Sequence, residues 1–102
     1  MIVYIAGKIT GEPKYKEKFL KAEEYFAKDD YIVLNPAILP EGMSSETYMN
    51  ICFPMIREAD LVAFLPNWRE SRGAKLEFTH CQYIGKTCCF LEYLTDFMEG
   101  WN

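Results

Sequence analysis

The chain has 102 residues, half of them apolar, and a formal charge of −4. That length supports one core and falls short of the size at which chains split, so residues 1–102 are expected to form a single domain. Without a block of Lys or Arg it lacks the basic footprint that nucleic acid or an anionic membrane requires, which leaves a small molecule as the expected partner.

The first run, Met1-Ile2-Val3-Tyr4-Ile5-Ala6-Gly7, is apolar but carries no basic residue in front, and a glycine interrupts it early. It therefore reads as a strand, Ile2–Ala6, of a soluble cytoplasmic protein and not as a signal peptide or a spanning helix. Gly7 and Gly11 bracket the turn that follows, with Lys8, Ile9 and Thr10 between them. Such a turn has two readings: an ordinary strand-to-helix connection, or one whose missing side chains let backbone amides approach a ligand, with Lys8 adding a cation and Thr10 a hydroxyl. The pattern is neither a GxGxxG nor a P-loop sequence, so no dinucleotide, ATP or other cofactor is expected.

A first helix is expected over Pro13–Lys28, with Phe19, Leu20, Ala22, Phe26 and Ala27 as its apolar stripe and Asp29-Asp30 as its stop. The strand Tyr31–Leu34 follows, then a loop of about eight residues from Asn35 to Gly42, long for such a domain and placed to wall a site. Ser44 or Ser45 caps a second helix reaching Glu58, in which Pro54 predicts a kink. Leu61–Leu65 is a buried-strand pattern, and after the turn Pro66-Asn67-Trp68 a third helix is expected from Arg72 to Tyr83, closed by Gly85. A last strand, Thr87–Leu91, precedes a tail from Thr95 to Asn102 with Phe97, Met98 and Trp101, which reads as a short helix covering an edge or docking on a neighbouring subunit. Cys52, Cys81, Cys88 and Cys89 lack zinc-type spacing, so no metal site is expected and free buried thiols are the reading.

Strands alternating with helices predict an α/β domain of flavodoxin-like or Rossmann-like type, a three-layer sandwich around a parallel sheet of about four strands. Right-handed crossovers make 2-1-3-4 the simplest order. In that order the chain leaves strands one and three in opposite directions, opening a crevice at their carboxyl ends between the Gly7–Gly11 turn and the Pro66–Gly73 loop. Ser71, Arg72 and Gly73 stand at the mouth of the third helix, where unpaired backbone N–H groups suit an anion. Glu77 lies further in, where a helical residue would ordinarily be apolar, with only Gly73 and Ala74 on its upstream face. Either its carboxylate enters open space in the crevice, or it faces solvent and gains roughly half a kcal/mol from the helix dipole. Trp68 and Arg69 likewise divide between ligand stacking and anion pairing on one side, and loop packing and solvent on the other. His80 reads as a residue of the helix face.

Four segments in order, Tyr4-Ile5-Ala6-Gly7-Lys8-Ile9-Thr10-Gly11, Asn35-Pro36, Glu58-Ala59-Asp60-Leu61-Val62 and Ser71-x-Gly73-x-x-x-Glu77, resemble the nucleoside 2-deoxyribosyltransferase-like family. Nearly the whole chain takes part, and the third-helix motif is closest to the branch that hydrolyses 2-deoxynucleoside 5-monophosphates. The chain as a whole resembles short bacterial and phage members. The resemblance implies a glutamate nucleophile, Glu77, that attacks the anomeric carbon of a deoxyribosyl group to form a glycosyl-enzyme ester, later resolved by a second base or by water. It also implies that Tyr4 orients Glu77 or the sugar, that Gly7, Lys8, Ile9 and Thr10 line the ligand, and that Ser71 holds a 5-phosphate. The family's aspartate, which assists the departing base, falls on Cys52 here. A neutral thiol substitutes poorly for a carboxyl group, leaving Glu70 and Glu46 as possible surrogates. The implied partner is a nucleoside or nucleotide, and relatives of this type complete their cleft across a subunit contact, so a homodimer or higher homo-oligomer is expected.

Overall fold

The structure is a computed structural model and describes residues 1–101. Four strands, β1 (Ile2–Ala6), β2 (Ile32–Leu34), β3 (Leu61–Phe64) and β4 (Cys88–Phe90), form one parallel sheet in the order β2-β1-β3-β4. The register aligns Tyr4 with Leu34 on one side and with Val62 on the other. Helices α1 (Tyr15–Ala27), α2 (Ser45–Glu58), α3 (Arg72–Ile84) and the short α4 (Thr95–Met98) cover the faces. This is the flavodoxin-like three-layer arrangement expected from the alternation of elements.

Strand pleating divides the core in two. Val3, Ile5, Ala63 and Leu65 point to one face and pack with Phe19, Ala22 and Phe26 of α1 and Phe97 of α4. Tyr4, Ala6, Val62 and Phe64 point to the other and pack with Cys52 and Ile56 of α2 and Ala74 and Cys81 of α3. Tyr4 is thereby set between α2 and α3, on a β1 strand paired on both sides.

Element ends differ from expectation for local reasons. Helix α1 begins at Tyr15, not Pro13, because the Glu12 carboxylate accepts from Lys14 N at 3.0 Å and Tyr15 N donates to Glu12 O at 3.1 Å, holding the intervening residues in a turn. It ends at Ala27, where the left-handed Asp30 (φ 62°) redirects the chain. Ser44 is the cap of α2, its Oγ accepting from Thr47 N at 3.1 Å. That helix runs uninterrupted through Pro54, an exposed position where the carbonyl deprived of its helical donor can meet water. Gly85 closes α3 in the left-handed conformation (φ 73°), as expected, and the helix itself reaches Ile84, one residue beyond Tyr83. Strands β2, β3 and β4 are each shorter than expected by one or two residues, although Leu65 N still donates to Ala6 O at 2.8 Å.

The long loop after β2 is partly ordered by a 3-10 turn, Pro36–Ile38, in which Asn35 Oδ1 accepts from Ala37 N at 2.9 Å. The C-terminal segment packs on the α1 face of its own chain, with Phe97 edge-on to Tyr25 at 5.4 Å and Tyr25 donating to Asp96 at 2.9 Å. Asn102, the end of the expected tail, lies outside the described residues. Among the described residues no helix is long and apolar enough to cross a membrane.

Candidate active site

Glu77 is 6% exposed, and the Tyr4 hydroxyl donates to its Oε2. The sequence explains how a carboxylate comes to be buried there. Ala74, Glu77 and Cys81 recur at helical spacing on the face of α3 that meets the sheet, so packing that face carries Glu77 inward. Gly73 and Ala74 leave room above it. Of the two readings of Glu77, burial in the crevice is the one observed.

Cys52 of α2 completes the cluster, buried beside the Tyr4 hydroxyl. Burial pushes the Glu77 carboxyl up to about 7, partly offset by the Tyr4 hydrogen bond. Tyr4 is raised well above its ordinary value, first by burial and then by the neighbouring Glu77 charge. The Cys52 thiol is raised as well, chiefly by burial. Near neutral pH the tyrosine and the thiol are therefore uncharged, while the carboxyl group is poised between its two forms.

These groups open into a cavity of about 1160 Å³ at the carboxyl ends of β1 and β3, a volume ample for a nucleoside or nucleotide. Gly7, Ile9 and Thr10 of the first turn line it, as do Ser71, Arg72 and Gly73 at the start of α3. Lys8 does not share that wall: its amine lies 3.5 Å from Glu70, and its backbone N–H donates to Asn67 Oδ1 at 3.2 Å. Ser71 caps α3, its Oγ accepting from Ala74 N at 3.1 Å, which leaves the hydroxyl proton free to donate. Gly7 is glycine for a packing reason, since a Cβ there would lie 2.6 Å from Leu65 Cδ1 and 2.9 Å from Leu65 Cβ.

Trp68 and Arg69 take the packing reading. The indole is 7% exposed among Phe64, Phe78 and Phe90, and Arg69 stacks on it at 4.8 Å while pairing with Glu92 at 2.6 Å. His80 stacks on Phe53 with centroids 4.3 Å apart and does not line the cavity. Of the two surrogates for the missing carboxyl, Glu70 and Glu46 both stand exposed at the cavity mouth. Cys52 and Cys81 are buried free thiols, as expected, whereas Cys88 and Cys89 are half-buried. Among the described residues no group of three or more His, Cys, Asp and Glu side chains is placed to hold a metal ion.

Tyr15 and Phe19 from α1 and Tyr48 and Met49 from α2, none of them an expected site residue, also form walls. Their signal was present: Tyr15 and Phe19 are four apart just after the glycine turn, and Met49 and Cys52 are three apart on one helix face. A second, shallower groove of about 450 Å³, bordered by Arg57, Asp60 and Lys86 at the amino ends of the strands, shares no residue with this cavity.

A parallel sheet of order 2-1-3-4 with its polar cluster at the strand crossover defines a flavodoxin-like α/β protein with a cleft at the strand carboxyl ends. The chain belongs to the family described as Domain of unknown function (DUF4406), which matches residues 1–90. A 2-desoxiribosyltransferase from Leishmania mexicana has a similar solved structure, with a TM-score of 0.67 and 20% identity. The similarity covers 87% of this chain and 62% of that one, so the chain spans less than two thirds of that protein's length. At that identity the likeness shows a deoxyribosyltransferase-like fold. Comparison with curated proteins gives no match.

Proposed function

We propose that the chain breaks the N-glycosidic bond of a 2-deoxynucleoside or its 5-monophosphate, as a nucleoside 2-deoxyribosyltransferase-like transferase or hydrolase. The observation that carries this reading is the buried Glu77 carboxylate, held by Tyr4 and facing a cavity large enough to admit a nucleoside. Glu77 attacks the anomeric carbon, and the base departs. Water or a second base then resolves the ester, with retention at that carbon. Tyr4 orients the carboxylate through its hydrogen bond and leaves the other oxygen free to react. Gly7, Ile9 and Thr10 contact the ligand from the first turn, with Lys8 holding that turn against the β3 loop. Where a 5-phosphate is present, the Ser71 hydroxyl, the Arg72 guanidinium and the open N–H groups at the start of α3 receive it. Residues 1–102 act as one domain, in the cytoplasm, as a homodimer or higher homo-oligomer.

Base release from a panel of deoxynucleosides and their monophosphates tests the reading, with Glu77→Ala as control. Release that Glu77→Ala abolishes supports it, and release that survives the substitution defeats it. The second reading is a binding protein that senses a nucleotide without turning it over. It is favoured by Cys52, whose raised thiol is a weak proton donor. Saturable binding without base release, unchanged in Cys52→Asp, would decide for it.

A further inference from the structure

An ordinary nucleobase leaves as an anion unless a proton reaches it during bond cleavage, and delivering that proton is the task of a general acid. Among the described residues of one chain, the cavity offers no group suited to the task. Tyr4 already donates its hydroxyl proton to Glu77, and burial pushes it far from acidity. Burial raises the Cys52 thiol in the same direction. Glu12 is held below the usual carboxylate range by its hydrogen bond to Lys18, so it is ionised. Glu41 and Glu70 stand exposed at the mouth in ion pairs with Lys16 and Lys8, and Glu46 is exposed on the first turn of α2. The histidine is stacked on Phe53, outside the lining.

We propose that the substrate carries its heterocycle as a cation, joined to deoxyribose through a positively charged nitrogen, as in an N-alkylated purine or a pyridinium nucleoside. This rests on the reading of Glu77 as nucleophile and names the leaving group it serves. The electrons balance without an acid. As a Glu77 oxygen bonds to the anomeric carbon, the C–N pair returns to nitrogen, and the cation departs as a neutral base. Water then attacks the same carbon, Glu77 leaves as carboxylate, and the surplus proton passes to solvent.

The walls suit such a ligand. Once the ion pairs are counted, Glu46 and Glu77 face Arg72 alone among the charged lining residues, so a cation meets no net repulsion. Tyr15 and Tyr48 bring aromatic rings to the lining, groups that attract cationic heterocycles, and the Tyr15 ring already has the Lys16 amine 5.9 Å from its centroid. A positive charge brought near Glu77 also draws off its proton, so this substrate ionises its own nucleophile.

The test compares base release from 2-deoxyguanosine, from the same nucleoside methylated at N7, and from nicotinamide deoxyriboside, each corrected for its uncatalysed rate. Both cations should give kcat/KM at least about 100-fold above the neutral nucleoside, the range a general acid commands. Glu77→Gln should abolish release from all three. Cys52→Asp, which supplies a carboxyl group beside Tyr4, should raise the neutral substrate about 10-fold or more and narrow the gap. Faster release from one cation and not the other would assign the preference to that heterocycle's shape and overturn the inference. If the neutral nucleoside equals both cations in the unaltered protein, the inference fails while the glycosidic reading stands; if no substrate is turned over, both fail together.

Discussion

On the proposed reading, Glu77 is the residue at which stability and function oppose each other. Its carboxyl group is raised from an ordinary 4.5 to about 7 by burial, so the folded chain holds a proton that the unfolded chain has released at intermediate pH. Stability from this group is full below about pH 4 and declines as pH rises, the loss levelling off above about pH 8 at no more than about 3 kcal/mol. Glu77→Gln keeps an oxygen for the Tyr4 hydroxyl to donate to and cannot ionise. Urea denaturation should find it more stable than the unaltered protein at pH 8, with the gap closing toward pH 5. A variant less stable at pH 8 would show that the carboxylate is better solvated than its burial implies. On the proposed reading the same titration governs catalysis with the opposite sign: kcat/KM for base release, which follows the free protein, should fall about tenfold per pH unit below about 7 and level off above about 8.

Gly7 makes a separate demand at the same scale. Leu65 is fully buried beneath it and cannot retreat from an added Cβ, so Gly7→Ala should cost about 1 to 3 kcal/mol and displace the turn that carries Ile9 and Thr10. Chemical denaturation measures the first effect. A rise in KM greater than any fall in kcat reports the second.

Among the elements, α3 brings the site together, and its start is set by one hydroxyl. The Ser71 Oγ bonded to Ala74 N satisfies a donor that would otherwise be unpaired, so Ser71→Ala should lower stability by about 1 kcal/mol. If Ser71 also receives a phosphate, that variant raises KM for monophosphates and leaves nucleosides unchanged. An equal effect on both substrate types limits Ser71 to capping. Sheet order was legible in the sequence because alternating strands and helices with right-handed crossovers leave little choice, and the inward turn of Glu77 was half-legible from Gly73 and Ala74. Trp68 was not, because its aromatic partners Phe64, Phe78 and Phe90 come from three separate elements. Nor were Tyr15, Phe19 and Tyr48: which helix face borders the cavity depends on how α1 and α2 roll on the sheet, a tertiary outcome that local spacing does not carry. The helix start at Tyr15 escaped for a smaller reason, a Glu12 side chain that bonds the next turn.

At the scale of the molecule, the cavity lies between two layers while much of the packing lies elsewhere. Helix α4 and Trp101 rest on α1, and Lys18 links the regions: its amine is 2.9 Å from Glu12 at the cavity wall and 5.1 Å from the Trp101 ring. No α4 side chain lines the cavity, so the C-terminal segment bears on packing and not on the proposed site. Phe97 is its anchor, buried against Tyr25 and Trp101. Phe97→Ala removes the ring and opens a void in the core, which should cost about 3 to 5 kcal/mol. A domain of this size has only about 5 to 15 kcal/mol in hand, so the urea midpoint should fall sharply. Protein that remains folded should release base at the original kcat, because the Tyr4, Glu77 and Cys52 cluster lies on the opposite face of the sheet. A kcat that fell along with the midpoint would mean that the two layers are coupled through α1, and that the tail belongs to the site as well as to the core.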